Sequence, residues 1–248
     1  MKARRNQLEL QYPNTWGGSR KGAGRPCRGR KRRVPHTARP KLASRFPVHI
    51  TLTLLAGLPR LRGFAVAKIL RAAFVRACGA RGAREQDRGF RICQFSIQGN
   101  HIHLICEAKS QVALSRGVQG FKIRVTRALN NHWGGRTGTV WADRFHQQIM
   151  KSPRQVRNGI CYVMQNGRRH GERLPAWAAG VDPFSSAWYF HGWRGNGWRR
   201  GLSPPPEDPD APGNPVAEAR TWLLTVGWRK HGLIATDEVP ASGSRART

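Results

Sequence analysis

Residues 91–108 read RICQFSIQGNHIHLICEA, two apolar runs of strand length around a three-residue stretch with turn chemistry. Gly99 and Asn100 punctuate the chain where it must reverse. Residues 91–97 and 101–108 are therefore expected to pair as a β-hairpin. On a strand, side chains at i and i+2 share one face. His101 and His103 then converge, while Ile102 and Leu104 pack behind them. Imidazole is expensive to bury without a partner. Two convergent neutral imidazoles make half a metal site. The plainer reading is two histidines satisfied by backbone or water, and the spacing by itself leaves both open.

The flanks extend the hairpin into a sheet. VHITLTLL (48–55) is rich in β-formers with partial alternation. FAVAKILRAAFVRAC (64–78) has apolar residues at helical spacing. SQVALSRGVQGFKIRVTRALNNHW (110–133) opens on Ser110, a plausible N-cap, and reads as a long basic helix. GGRTGT is a loop, and RFHQQIM (144–150) a short strand. SPRQVRNGICYVMQNG (152–167) has Ser152 as N-cap, Pro153 at the first helical position and Gly167 as a stop. The order β-α-β-β-α-β-α predicts an α+β domain: an antiparallel sheet with helices on one face, as in ferredoxin-like and RRM-like folds. Beyond residue 171 the chain turns irregular and Trp-rich. SPPPEDPDAPGNP is a linker by composition, and VAEARTWLLTVGWRKHGLI (216–234) reads as a short amphipathic helix. Three regions result: a basic tail at 1–45, a domain at 46–170 and an extension at 171–248.

Charge narrows the partner. The chain carries 44 Lys and Arg against 13 Asp and Glu, a formal charge of +31. Polyanion is the natural complement, so nucleic acid is expected and a membrane is not. No apolar run approaches the roughly 18 residues of a membrane span, and no signal-peptide pattern opens the chain. Residues 1–45 hold 14 Lys and Arg and one acid, Glu9, with Lys31, Arg32 and Arg33 in sequence. The tail is either solvated or an arm that tracks DNA through counterion release. On the long helix, Arg116, Lys122, Arg124 and Arg127 form either a solvated face or a phosphate-contact surface. Trp133 and Trp141 either stack unpaired bases or simply pack. The five cysteines are odd in number and form no CxxC pair. Reduced thiols in a cytoplasmic protein are expected.

The chain has three tyrosines. Tyr12 lies in the tail, and Tyr189 sits among tryptophans, where packing is the expected role. Tyr162 differs. Gln155, Asn158, Tyr162, Gln165 and Asn166 form a polar stripe beside an apolar one of Val156, Ile160 and Val163. Tyr162 and Asn166 are one turn apart and share a face. A phenol that attacks phosphorus needs its phenolate stabilised and a cation on the phosphate oxygens. Two histidines and an amide oxygen can hold such a cation. Carboxylates for a two-metal nuclease are scarce, since only Glu107 and Asp143 lie near these motifs.

NHIHLIC followed by Y-x-x-x-N on a later helix resembles the HUH endonucleases, whose signature is His-hydrophobic-His. Within them, residues 46–170 look like the single-tyrosine transposases, and most like the REP-associated tyrosine transposases. The resemblance implies Mg²⁺ or Mn²⁺ on His101, His103 and Asn166, with Gln165 as the alternative third ligand. Asn166 is followed by Gly167, whereas the family has Gln at the fourth position after the tyrosine, or Asn-Pro. The resemblance further implies transesterification on single-stranded, hairpin-forming DNA, with Tyr162 as nucleophile and a 5′-phosphotyrosine intermediate. It implies a nucleoid-associated prokaryotic protein, acting alone or as a homodimer. Two other readings share the pattern: a noncatalytic RRM-like nucleic-acid binder, and an HUH nickase of replication or conjugation type. An RRM-like binder needs exposed aromatics on its central strands, and RICQFSI offers only Phe95.

Overall fold

The computed structural model describes residues 38–78, 89–175, 178, 180–195 and 213–239. All fall within one compact unit, His36–Thr248. Lys31, Arg32 and Arg33, and most of the expected tail, lie outside the described residues. Among the described residues no helix is long and apolar enough to cross a membrane.

Four strands form one antiparallel sheet: β1 (Val48–Thr53), β2 (Phe90–Ile97), β3 (His101–Ala108) and β4 (His146–Ile149), in the order β2-β3-β1-β4. This is the strand order of a ferredoxin-like fold. β1 and β4 are slightly shorter than the expected 48–55 and 144–150: after Thr53 the chain continues only as a bridge from Leu54 to Trp141. Helix α1 (Phe64–Cys78) and helix α2 (Gln111–His132) both pack against the sheet and each other. Ser110 caps α2, its hydroxyl accepting from the Ala113 amide at 3.1 Å.

Alternation assigns the sheet faces. Val48, Ile50 and Leu52 of β1 and Ile102, Leu104 and Cys106 of β3 join the α1/α2 core. In β2 the core residues are Phe90, Ile92, Phe95 and Ile97, a spacing that breaks strict alternation. A β-bulge between Ile92 and Gln94 absorbs the extra residue and turns Cys93 to the other face. Phe95 stacks on Phe74, with centroids 4.0 Å apart. It therefore serves the core and is not the exposed aromatic an RRM-like binder needs. Gly117 is where α2 crosses β2 closely, since a Cβ there would fall 2.2 Å from the Phe90 ring.

The opposite face carries helix α3 (Pro153–Met164) and the described parts of the extension. The helices thus cover both faces: two on one side, α3 on the other. Ser152 caps α3, with its hydroxyl accepting from the Gln155 amide, and Pro153 stands in its first turn. Gly167 does not stop the helix. The helix ends at Met164, Gln165 breaks it, and Gly167 lies inside a short helix α4 (Asn166–Arg169). Its role is close approach: a Cβ there would sit 2.6 Å from Asp182 Oδ2 and 2.7 Å from an Arg62 guanidinium nitrogen. Arg62 and Asp182 form a buried two-bond pair at 2.9 and 3.1 Å.

The extension is built into this second core. The 3-10 turn Ser186–Tyr189 lies along β2, and the Ser186 hydroxyl accepts from the Phe95 amide at 2.9 Å. Residues 216–234 do not form one helix. Only Trp222–Thr225, helix α5, is α-helical, and Gly227–His231 is a 3-10 turn. The cause is tertiary. The Ala217 amide bonds to the Ile92 carbonyl, and the Arg220 and Thr221 amides bond to the Glu107 carboxylate. The Arg220 and Thr221 amides are therefore not available to the carbonyls of residues 216 and 217 in a helix starting there. Residues 38–45 are likewise docked rather than free: Leu42 is buried, and Arg39 donates to Gln147 and to the Phe145 carbonyl.

Glu107 is thus a structural acid. It is buried, pairs with Arg91 at 2.8 Å and takes both backbone amides. Glu107→Ala should destabilise the fold by about 3 kcal/mol or more, because three donors lose a buried anion. Denaturant unfolding of the two proteins measures it; a loss below about 1 kcal/mol would show that water replaces the carboxylate.

Candidate functional site

The site lies on the sheet face away from α1 and α2. His101 and His103 of β3 and His49 and Thr51 of β1 project there, because β1 pairs with β3 in the register Thr51↔His103 and Thr53↔His101. His101 Nε2 and His103 Nε2 stand 2.9 Å apart. Behind them, His101 Nδ1 meets Asn100 Oδ1 at 2.8 Å. His103 Nδ1 meets His49 Nε2 at 3.1 Å and Thr51 Oγ1 at 3.2 Å.

Helix α3 lays Tyr162 across these rings. Val156, Ile160 and Val163 anchor the helix in the second core, each at most 1% exposed. The Tyr162 ring then stands edge-on to His103 at 5.1 Å and to His49 at 5.6 Å between centroids. The Arg169 guanidinium lies 5.4 Å from the Tyr162 ring centre. His170 reaches 6.2 Å from the His101 ring.

Burial keeps the imidazoles neutral. Desolvation first, and the neighbouring histidines second, push His103 down to about 2 and His101 and His49 to about 4. The neighbouring thiol is no rival to the phenol. Cys161 donates to Glu238, and burial together with that carboxylate pushes it up to about 12. Cys78, Cys93, Cys106 and Cys161 are all buried; Cys27 lies outside the described residues.

The two candidate amides differ. Gln165 donates to the carbonyls of Ala235 and Thr236 at 3.2 and 2.8 Å, so its amide nitrogen is tied to the C-terminal segment, while its buried Oε1 has no protein partner. Asn166 is fully buried, and neither its Oδ1 nor its Nδ2 has a protein partner. A buried amide of this kind calls for a partner.

The donor set fits a divalent cation. Asn100 accepts from Nδ1 of His101, which leaves a lone pair on its Nε2. If His103 Nδ1–H donates to His49 or Thr51, its Nε2 also carries a lone pair, and the two face each other. Two nitrogens about 2.1 Å from one octahedral ion, at right angles, stand about 3 Å apart. The observed 2.9 Å agrees. In the other tautomer of His103 a single hydrogen bond spans the gap. Among the described residues no group of three His, Cys, Asp or Glu side chains could hold a metal. The imidazole pair therefore needs an amide or water to complete a coordination shell.

The expected DNA-contact residues divide. Arg116 and Arg127 are exposed. Lys122, Arg127 and Arg144 line a groove of about 550 Å³ with Ile123, Trp141 and Phe145. Lys122 donates to the Asp143 carbonyl at 3.2 Å, and burial lowers its pKa. Arg124 is half-buried and turned about 200° around α2 from Lys122, so it serves a different surface. Trp133 packs on the main core and Trp141 is buried, its indole N–H donating to Thr126 at 2.9 Å. Packing is the observed role of both. Sequence reasoning missed His49, Arg169 and His170. Only the pattern H-x-T on β1 carried a signal, because i and i+2 there face the same side as His101 and His103.

Residues 81–166 match the family model described as "Transposase IS200 like". That segment is similar to IS200-like transposases. The match contains the hairpin, the histidine pair, Tyr162 and Asn166, whereas His49, Thr51, Arg169 and His170 lie outside it. Among solved structures, the chain is similar to one titled "Structure of the REP associates tyrosine transposase bound to a REP hairpin", with 19% identity and a TM-score of 0.47. That similarity covers 62% of this chain and 82% of the other. No curated protein matches the chain.

Proposed function

We propose that this transposase-family chain cleaves and rejoins single-stranded, hairpin-bearing DNA through a covalent 5′-phosphotyrosine on Tyr162. His101, His103 and the Asn166 amide would hold Mg²⁺ or Mn²⁺. The observation that carries the reading is the convergence of Tyr162 with the facing imidazole pair, its ring 5.1 Å from that of His103. When bound, the cation supplies positive charge to a scissile phosphate's oxygens.

The chain's own residues supply the rest. The Tyr162 oxygen attacks phosphorus, the new P–O bond forms, and the P–O3′ bond breaks to release a 3′-hydroxyl. Reversal by another 3′-hydroxyl rejoins strands, so the bond energy stays in the adduct and no nucleotide cofactor is consumed. Arg169, beside the phenol ring, stabilises the developing phenolate and receives phosphate charge. Asn100 orients His101 from behind. The buried pair Arg62–Asp182 and the Gln165 contacts hold the turn after Tyr162, and with it Arg169. The basic surplus supports DNA as partner.

The test mixes the protein with end-labelled single-stranded hairpin DNAs of varied sequence and Mn²⁺, then resolves products on a denaturing gel. A protein–DNA adduct that depends on Mn²⁺ is expected. Binding without any adduct across the set would return the chain to the noncatalytic reading.

The tail enters as an affinity device. Deleting residues 1–37 removes eleven Lys and Arg and one acid, while sparing the docked Arg39 and Leu42. If about six of those cations touch phosphate, the slope of log affinity against log salt should fall by roughly four, at about 0.7 per contact on single strands. The loss should be similar for any sequence, and the rate on saturating DNA should hold. Binding curves at several salt concentrations measure this; superimposable curves would make the tail a bystander.

A further inference from the structure

We propose that His49 is a positioning residue that accepts a hydrogen bond from His103 Nδ1 and so turns the His103 Nε2 lone pair toward His101. The inference rests on the reading of His101 and His103 as ligands of a divalent cation. His49 Nε2 lies 3.1 Å from His103 Nδ1, and the two ring centroids are 5.1 Å apart. The same ring meets Tyr162 edge-on at 5.6 Å. One side chain therefore touches both a ligand and the nucleophile.

The pairing of β1 with β3 sets the two side chains on one face as diagonal neighbours. Thr51 is opposite His103, and His49 is two residues along on the same face. Both side chains reach His103 Nδ1, but they constrain it differently. The Thr51 hydroxyl at 3.2 Å can donate or accept, so it suits either tautomer of His103. An imidazole nitrogen is the stronger base. With its lone pair on Nε2, His49 takes the proton on His103 Nδ1 and leaves Nε2 bare. With the proton on His49 Nε2, the order reverses: His103 carries its proton on Nε2 and bonds His101. A cation shared by His101 and His103 requires the first arrangement. Cation binding and the His49 hydrogen bond are therefore linked, and each strengthens the other.

The experiment titrates Mn²⁺ into the full-length protein without DNA and reads the binding isotherm by calorimetry. It compares wild type, His49→Phe, His49→Gln, His49→Asn and Thr51→Val. Phenylalanine keeps the ring and removes the acceptor, so affinity should fall by about tenfold or more. Glutamine can place an acceptor oxygen near the position of Nε2 and should recover most of the loss. Asparagine, with the same amide on a shorter stem, should not. Thr51→Val should stay within a few-fold of wild type. Thermal melts check that each variant folds; if His49→Phe does not, the pair of amide variants carries the comparison alone. Wild-type affinity in His49→Phe, equal affinity in the two amides, or a larger loss in Thr51→Val would each overturn the proposal. If wild type takes up no Mn²⁺, or a His101→Ala/His103→Ala protein still does, the ligand reading itself falls, and the role of His49 with it.

Discussion

Tyr162→Phe should abolish the covalent DNA adduct, by at least about 10³-fold, while DNA affinity stays within a few-fold of wild type. The substitution removes one oxygen and keeps the ring. The edge contacts to His103 and His49 survive, as do the helix anchors Val156, Ile160 and Val163. Loss of a nucleophile with binding preserved is the signature of a group that acts in the transition state. No nearby group can take over. Cys161 is buried and held as a thiol. Tyr189 is packed against both cores, and its hydroxyl accepts from Arg71 at 3.3 Å. Labelled hairpin DNA and a denaturing gel read the result. An adduct of undiminished yield would remove Tyr162 from the chemistry and direct attention to Tyr189.

His101→Ala and His103→Ala should each eliminate both cleavage and Mn²⁺ binding, with affinity falling by at least about a hundredfold, and EDTA should reproduce the cleavage loss in the intact protein. The two variants should differ in stability. His101 is half-buried and bonds Asn100 at the hairpin turn, so its loss leaves little unsatisfied. His103 is 3% exposed and its removal strands His49 and Thr51 beneath the tyrosine helix. A cost of about 1–3 kcal/mol is expected for His103→Ala and less for His101→Ala. Calorimetric titration with Mn²⁺ and denaturant unfolding separate the two effects. Cleavage that persists in the double variant with EDTA present would make the imidazoles structural.

The candidate third ligand illustrates how far spacing can lead. Both Gln165 and Asn166 were candidates because both follow Tyr162 within about one turn. The distinction depends on a distant segment. Gln165 spends its amide nitrogen on Ala235 and Thr236, seventy residues away. Asn166 is left buried with neither amide atom partnered, whereas Gln165 leaves only its Oε1 without a partner. No local pattern encodes that difference.

The elements that the sequence by itself determined are those whose causes are local. The Ser110 and Ser152 caps, the turn at 98–100, α1 over Phe64–Cys78 and β3 over His101–Ala108 follow from neighbours within a few residues. The convergence of His101 and His103 is of the same kind, since strand geometry alone puts i and i+2 on one face. Tertiary structure decided whatever required a partner far along the chain. The β1–β3 register brought His49 to His103 across 54 positions. The bulge at Cys93 restored Phe95 and Ile97 to the core after alternation had failed. The buried Glu107 carboxylate took the Arg220 and Thr221 amides and held 216–221 out of a helix that periodicity alone would favour. In each case a backbone or imidazole group had two ways to satisfy its hydrogen bonds, and the burial of a distant residue chose between them.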